Sequence, residues 1–239
     1  MMRKQNVVIA IFCSLTLMGG FAEIHAQQKN PAFAAPVADP SLPNVLLIGD
    51  SISIGYTLAV REKLRGIANV YRPATNCGPS TKGVESVDEW LSGHAWDVIH
   101  FNFGLHDLKF MGPAGQNLAD PAAPTSQVQV PIDQYAENLK QIAVKLKQTG
   151  ATVIWRETTP VPEGAKGRVV GDAKKYNSAA AKTIAEVGDV QVDPLYDFAL
   201  KHADQQLAAN VHYTQAGSDA LAEQVVRAIK AALQGRSRS

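Results

Sequence analysis

The stretch "NVLLIGDS", residues 44–51, is a short apolar run that ends in a Gly-Asp-Ser turn. A continuous apolar run of this length is typical of a β-strand that is buried on both faces of a sheet. Tyr56, Val60 and Leu64 follow at the spacing of one face of a helix. This part of the chain therefore predicts a buried strand, a tight turn and a helix, in that order.

The same pattern occurs four more times along the chain. Strands that alternate with helices pair in parallel, because each helix crosses over one face of the sheet before the next strand begins. We therefore predict a flavodoxin-like three-layer α/β/α sandwich with a five-stranded parallel sheet, formed by one domain over residues 44–239. The other four strands are predicted at "NVYRPA" (69–74), "DVIHFNFG" (97–104), "TVIWRETTP" (152–160) and "VQVD" (190–193).

Functional residues of such a sheet are expected where each strand passes into its helix, because ligands bind beyond the carboxyl ends of the strands. The longest connection, residues 111–131, leaves this same edge and is rich in Gly and Pro. Long loops of this kind are often functional, so we expect this one to form a wall of the pocket. The junctions themselves read "GDSIS", "TNCGPST", "FGLHD", "TTPVP" and "VDPLYD".

The N-terminal segment has the features of an export signal. Residues 1–26 combine two basic residues, an apolar stretch interrupted by glycines, and Ala26 as a cleavage point. Ile24 fits the small-residue rule poorly, so the cut could lie a few residues away, and a retained N-terminal anchor is the alternative. Residues 27–43 carry four prolines and are predicted to be a linker. We expect a secreted or periplasmic protein without stable membrane anchoring.

Charge and cysteine content exclude several classes of protein. Without Arg3, Lys4 and Glu23 of the signal, the 23 basic and 22 acidic residues of the chain fall to 21 each. A neutral protein of this kind is not expected to bind nucleic acid. Cys77 is then the single remaining cysteine, so an internal disulfide is excluded and stability must come from the core.

Ser51 is the candidate nucleophile, because it follows a buried strand and opens a helix whose first N–H groups favour a developing negative charge. The alternative is that Asp50 and Ser51 only cap this helix. A serine nucleophile needs a base, and His106 and His212 are the histidines that the predicted fold places at the same edge. His100 lies inside the third strand and is interpreted as a hydrogen-bonded core residue.

Four short blocks of the chain together resemble the SGNH hydrolases, also called GDSL esterases. They are "GDSIS" (49–53), the glycine of "NCGPST" (76–81), "GLHD" (104–107) and "VHYT" (211–214), and the resemblance extends over residues 44 to about 233. It implies that Ser51 is the nucleophile, that His212 is the general base, and that the N–H groups of Ser51 and Gly78 belong to an oxyanion hole. It also implies an esterase, thioesterase or carbohydrate deacetylase that needs no cofactor and no metal.

The first departure from the family pattern lies in the third block. The family usually has Gly-x-Asn-Asp there, and the Asn amide is the third donor to the oxyanion. In "GLHD" the same place is taken by His106, whose ring N–H can serve as that donor. Asn102 is the alternative donor, although strand alternation could instead place its side chain inside the sheet.

The second departure concerns the acid that normally orients the catalytic histidine. The family commonly has Asp three residues before that histidine, and here this residue is Ala209. His212, two residues before the predicted helix cap Thr214, must therefore be oriented by a backbone carbonyl, by Asn210 or by the more distant Asp204. Asp193 is instead predicted to cap the helix that follows it. Cys77 is expected to pack rather than react.

The sequence therefore favours a secreted serine esterase that hydrolyses short-chain acyl esters, with O-acetyl groups on carbohydrate as the expected substrate. Its partner is then a small-molecule or glycan ester. The alternative is a catalytically weakened member of the same fold that binds a glycan or a protein partner without turnover. A nucleotide-binding flavodoxin-like protein is not supported, because neither GxGxxG nor GxxxxGK occurs in the chain.

Overall fold

The computed structural model describes residues 30–236, and its centre is a five-stranded parallel sheet. Along the sheet the strand order is β2-β1-β3-β6-β7, so β2 is added on one side of β1 and the later strands are added on the other side, all in parallel. This confirms the predicted flavodoxin-like α/β/α class. The strands are β1 (Asn44–Ile48), β2 (Asn69–Tyr71), β3 (Val98–Phe101), β6 (Thr152–Arg156) and β7 (Val190–Asp193).

Helices cover both faces of the sheet. Helices α1 and α6 pack together on one face, and α6 also contacts α5, whereas α3 packs against both α2 and α4 on the other. Because the central strands are covered on both faces, Val45 to Ile48 are at most 2% exposed. The helices are α1 (Ser51–Lys63), α2 (Ser80–Leu91), α3 (Ile132–Gln148), α4 (Asp172–Val187), α5 (Leu195–Lys201) and α6 (Gln215–Arg236).

The long connection after β3 is more ordered than a structureless loop. It contains a two-stranded antiparallel ribbon in which β4 (Phe110–Met111) pairs with β5 (Gln127–Val128). A single 3₁₀ turn, Pro113–Gly115, lies between the two strands. The ribbon fixes the two ends of the connection beside each other at the carboxyl edge of the main sheet.

The described part of the predicted linker, residues 30–43, contacts the domain. Ala32 is buried, Phe33 lies under the Arg72 guanidinium at 5.5 Å, and the Asn69 amide donates to the carbonyl of Asp39 at 2.8 Å. These contacts satisfy backbone groups that a free linker would leave to water. The predicted signal, residues 1–26, lies outside the described residues. Within the part that is described, no helix is long and apolar enough to span a membrane.

A buried polar pair corrects the prediction for Asp193. This residue ends β7, and the first-turn N–H of Tyr196 in α5 donates to Glu157 Oε2 at 3.1 Å, so Asp193 does not have the capping role. Its carboxylate contacts His100 Nε2 at 3.0 Å and accepts from Gln224 Nε2 at 2.8 Å. Burial opposes its ionisation, but the hydrogen bonds from His100 and Gln224 and the charge of Arg156 lower the pKa of Asp193 overall. His100 is therefore a hydrogen-bonded core residue, as the sequence indicated.

Candidate active site

Ser51 is the first residue of α1, directly beyond the carboxyl end of β1. The capping role belongs to its neighbour Asp50, whose Oδ1 accepts from Ile52 N at 3.0 Å. The Ser51 hydroxyl is therefore not needed as a cap. Because Ser51 opens the helix, its N–H also has no partner within the helix. Both the hydroxyl and the N–H are thus placed where a reacting carbonyl group could meet them.

His212 lies beside Ser51, although the two residues are 161 positions apart. Its Nε2 is 2.8 Å from Ser51 Oγ. The segment that carries it is held by an N–H to O=C bond of 2.9 Å from Leu207 to His212, and Thr214 caps α6 by accepting from Gly217 N at 3.1 Å. A serine hydroxyl within hydrogen-bond distance of an imidazole is the arrangement that nucleophilic catalysis requires.

Asn210 takes the place next to His212 that an acid usually has. Its Oδ1 is 2.7 Å from His212 Nδ1 and also accepts from His212 N at 3.1 Å. Since a backbone N–H can only donate, the atom facing it is the amide oxygen, and Nδ1 must carry the ring proton. Nε2 is then the unprotonated nitrogen that faces Ser51 Oγ. Ser51, His212 and Asn210 thus form a hydrogen-bonded chain without a carboxylate.

Asp204, the other candidate for orienting the histidine, is not part of this chain. It lies in the 3₁₀ turn Ala203–Gln205, and the His212 ring bonds to Asn210 and Ser51 instead. Ala209, at the position of the usual family acid, adopts a left-handed backbone with φ of 51°. That bend places Asn210 in an Asx-type turn with its side chain bonded to His212.

The environment of His212 favours its neutral form. Partial burial lowers its pKa below the usual value of 6.5, the Asp50 charge opposes this shift, and the Arg168 charge adds to it. A general base must be unprotonated to accept a proton. The lowered pKa favours this unprotonated form of His212 at neutral pH.

Ser53, the nearest competitor of Ser51, is built into the core. It is 1% exposed, its Oγ donates to the Asp50 carbonyl at 3.0 Å, and Arg72 Nη1 donates to the same Oγ at 3.0 Å. Its hydroxyl proton and one of its lone pairs are thus used in hydrogen bonds within the core, so Ser53 is a structural residue.

The N–H of Gly78, predicted as an oxyanion donor, has a partner within its own turn. Gly78 is buried, and its N–H donates to Asn76 Oδ1 at 3.0 Å. A backbone N–H has one hydrogen, so it is already used in this structure. The same bond fixes the Asn76 amide with its oxygen toward Gly78, and Asn76 lines the cavity beside Ser51. Asn76 is a site residue that the sequence analysis did not identify.

His106 lines the same cavity as Ser51 and His212. Burial is the main cause that lowers the pKa of His106 to about 4; Asp50 opposes this, and the charges of Lys109 and Arg168 add to it. Lys109 Nζ lies 3.5 Å from His106 Nδ1. An ammonium group has no lone pair, so Nδ1 is the acceptor in this long contact and Nε2 carries the proton. His106 is thus a neutral ring with one N–H donor.

The remaining candidates from the sequence lie inside the fold. Asn102 is 1% exposed, and its amide donates to the carbonyl of Arg156 at 2.9 Å and to Thr158 Oγ1 at 3.1 Å. It is therefore not available as an oxyanion donor. Cys77 is fully buried, and burial raises the pKa of its thiol to about 11. A protonated buried thiol packs and does not react, as expected.

The cavity over these residues has a volume of about 510 Å³. Asn117 and Leu118 from the connection between β4 and β5 form one part of its wall, as predicted for this long loop. Lys109, Lys166 and Arg168 add three cationic side chains that the sequence analysis missed. Their positions after β3 and β6 could have predicted their place in the cavity, because the loops that follow both strands leave the carboxyl edge of the sheet. Over residues 30–236, no group of three or more His, Cys, Asp or Glu side chains could hold a metal ion.

Comparisons with known proteins identify the family and agree with the fold. The model of the GDSL-like lipase/acylhydrolase family matches residues 47–220. Among solved structures, a lipase/acylhydrolase from Enterococcus faecalis is 18% identical with a TM-score of 0.63, over 79% of this chain and 96% of that one. An acetyl xylan esterase is 16% identical with a TM-score of 0.61, over 78% and 99%. A psychrotrophic esterase from Pseudoalteromonas sp. is 14% identical with a TM-score of 0.58, over 80% and 98%. No curated protein sequence gives a match.

Proposed function

The chain belongs to the GDSL-like lipase/acylhydrolase family, which confirms its resemblance to the SGNH hydrolases, and from this premise we propose that it is an exported serine esterase acting on short-chain acyl esters. The observation that carries the proposal is the chain of contacts from Ser51 Oγ to His212 Nε2, 2.8 Å, and from His212 Nδ1 to Asn210 Oδ1, 2.7 Å. Family membership supports ester hydrolysis, and these contacts support the assignment of residues.

In the first half of the reaction, Ser51 Oγ attacks the ester carbonyl carbon while His212 Nε2 takes the hydroxyl proton. A new C–O bond forms, and the carbonyl π electrons move to the oxygen. When this tetrahedral intermediate collapses, the bond to the alcohol breaks and His212 gives its proton to the leaving alkoxide. The products are a free alcohol and an acyl group on Ser51.

In the second half, water repeats the same steps in the same site. His212 takes a proton from water as its oxygen attacks the acyl carbon, and then returns that proton to Ser51 Oγ as the acyl–serine bond breaks. A carboxylic acid leaves and the enzyme is restored. Asn210 holds the ring in the required tautomer throughout, but its amide supplies no negative charge to the imidazolium.

The negative charge on the carbonyl oxygen needs hydrogen-bond donors. In this proposal they are the N–H of Ser51 at the start of α1, the Nε2–H of His106 and the amide NH₂ of Asn76. The Asn76 amide replaces the N–H of Gly78, which is bonded to its oxygen. All three donors are neutral, so they remain donors over the pH range in which His212 is a base.

Replacement of His106 tests this arrangement. We expect His106→Ala to lower kcat about 10² to 10³-fold on a short acyl ester, because it removes one oxyanion donor. His106→Asn supplies an amide donor at the same place and should recover much of that loss. The measurement is steady-state kinetics of both variants at pH 7. Equal inactivity of His106→Asn and His106→Ala, with both folded, would show that His106 is not a donor.

Acetyl groups on carbohydrate are the proposed natural ester. Acetyl xylan esterases are among the similar structures, and an exported enzyme meets polysaccharides outside the cell. Export itself rests on the sequence of residues 1–26. The alternative of a binding module without turnover is disfavoured, because both Ser51 and His212 are present and in contact.

A panel of esters tests the proposed function. We expect p-nitrophenyl acetate to be hydrolysed with a higher kcat/KM than the butyryl and longer esters, and acetate to be released from an acetylated polysaccharide. N-terminal sequencing of the protein recovered outside the cytoplasm should show a start near Gln27. A folded protein that hydrolyses none of these esters would favour the binding module.

A further inference from the structure

The cavity beside Ser51 is lined by cations and by no carboxylate. Lys109, Lys166 and Arg168 all contribute to its surface, together with neutral polar and apolar residues. Within residues 30–236, none of these three side chains forms an ion pair with an acid. A surface cation usually lies among charges of both signs, so three unpaired cations around one cavity form a region of positive potential.

Two of the three cations are held in place by the fold. Arg168 Nε donates to the Leu105 carbonyl at 3.0 Å, and Nη1 makes a longer contact of 3.5 Å with the Lys166 carbonyl, which leaves Nη2 for the cavity. Lys109 is 8% exposed, with its ammonium group 3.5 Å from His106. Lys166 is exposed at the rim. The cavity of Ser51 and His212 is therefore lined by two cations that the fold positions and by one exposed cation.

Gly167 fixes the backbone between Lys166 and Arg168. Its φ is +62°, a Cβ atom here would lie 2.4 Å from Leu118 Cα, and its carbonyl accepts from Phe110 N at 2.7 Å. The loop that carries the two cations is thus packed tightly against the wall of the cavity, in a conformation that favours glycine.

The carboxylates whose charges act on Lys109 and Arg168 lie outside the cavity lining. Asp50 and Asp107 are both buried and do not line the cavity. Burial raises the pKa of Asp107 to about 7, against the hydrogen bonds from Ser80, so this group is partly protonated at neutral pH. Three cations therefore line the cavity and no carboxylate does, so the cavity keeps a net positive potential.

We propose that the alcohol part of the ester carries a carboxylate, so that the substrate is an O-acylated carbohydrate containing uronate residues. The inference rests on the proposed esterase function. A short acyl group such as acetyl has no ionisable group. An anionic group that binds the three cations must therefore belong to the alcohol part of the ester, which fills the rest of the cavity. The planar guanidinium of Arg168 matches the geometry of a carboxylate, and Lys166 adds attraction at the entrance.

The test compares one polysaccharide in two charge states. Acetylated polygalacturonate and its fully methyl-esterified form have the same acetyl groups and differ in charge. We expect kcat/KM for acetate release to be at least about tenfold higher for the anionic form at low salt. The preference should decrease in about 0.5 M salt, where screening is strong.

Charge reversal at the rim gives a matched pair of variants. Lys166→Glu should lower the ratio of kcat/KM for the anionic and neutral forms by about tenfold, because it places a negative charge at the entrance. Lys140→Glu makes the same charge change on an exposed position of α3 that does not line the cavity. It should leave the ratio unchanged. Equal ratios for the wild type and both variants would overturn the inference.

A binding measurement separates this inference from the esterase function. Calorimetry with a Ser51→Ala variant should show binding of trigalacturonate and none of its methyl ester at the same concentration. An enzyme that hydrolyses both polymers equally remains an esterase, but its substrate is then not selected by charge. Selective binding of trigalacturonate by a protein that hydrolyses no ester would support the anion site and contradict the esterase. Binding of neither trimer, or of both equally, overturns the anion site.

Discussion

Ser51→Ala is expected to lower kcat on p-nitrophenyl acetate by about 10⁴ to 10⁶-fold, without loss of the fold. In the proposed reaction Ser51 Oγ forms the covalent bond to the acyl group, and within residues 30–236 its hydroxyl is the one that contacts the His212 ring. Removal of a catalytic serine leaves the residual rate that the oxyanion donors and substrate binding supply. Initial rates, with circular dichroism as a check of folding, measure the effect.

Labelling with a fluorophosphonate identifies the nucleophile directly. The adduct should map to Ser51 by mass spectrometry and should be absent in Ser51→Ala. Ser53→Ala is the matched comparison, since Ser53 lies in the same turn but bonds to Arg72 and to the Asp50 carbonyl. That variant should keep the label on Ser51, although it loses part of its stability. A label on Ser53 in the wild type would exclude Ser51 as the nucleophile.

His212→Ala is expected to lower kcat about 10⁴-fold or more, because it removes the group that accepts the Ser51 proton. Asn210→Ala should cause a smaller loss of about 10²-fold, since the base remains and only its orientation is lost. Asp204→Ala should retain nearly full activity, because Asp204 lies outside the chain of contacts. If Asp204→Ala were as inactive as His212→Ala while folded, Asp204 would be the missing acid.

Asn210→Asp adds a pH measurement to this series. In the wild type the acid limb of kcat/KM should have an apparent pKa below 6.5, because burial and the Arg168 charge both favour neutral His212, against Asp50. A carboxylate at position 210 stabilises the imidazolium, so the limb should move to higher pH. Asn210→Ala removes the hydrogen bond without adding a charge and is the control. An unchanged limb in Asn210→Asp would show that position 210 does not contact the base.

Ser51 and His212 could be located from the sequence because each belongs to a short block at a junction of strand and helix. Asn210 was named there as one of three candidates to orient His212, and only the contact of 2.7 Å between Oδ1 and Nδ1 distinguishes it from Asp204. A turn with a left-handed residue at Ala209 makes that contact, and local sequence does not specify such a turn strongly.

The prediction for Asp193 was wrong for a related reason. The sequence "DP" is typical of a helix start, so capping was the local preference. In the fold, Asp193 meets His100 from β3 and Gln224 from α6, and two hydrogen bonds in the core outweigh one at a helix end. The bond from Gly78 N–H to Asn76 Oδ1 could not be predicted from the sequence either, because it depends on how the turn closes.

Apolar runs that alternate with helical periodicities by themselves determined the parallel sheet, its layers and the carboxyl edge that holds the candidate site. They could do so because a strand buried on both faces must be apolar along its whole length, and this pattern is visible in a short stretch of sequence. Which side chains meet at that edge was decided by tertiary structure alone. Lys109 follows β3, Lys166 and Arg168 follow β6, and they face one cavity only because parallel strands end side by side. Their charge, and hence the substrate that we infer, is a property of loops brought together by the sheet.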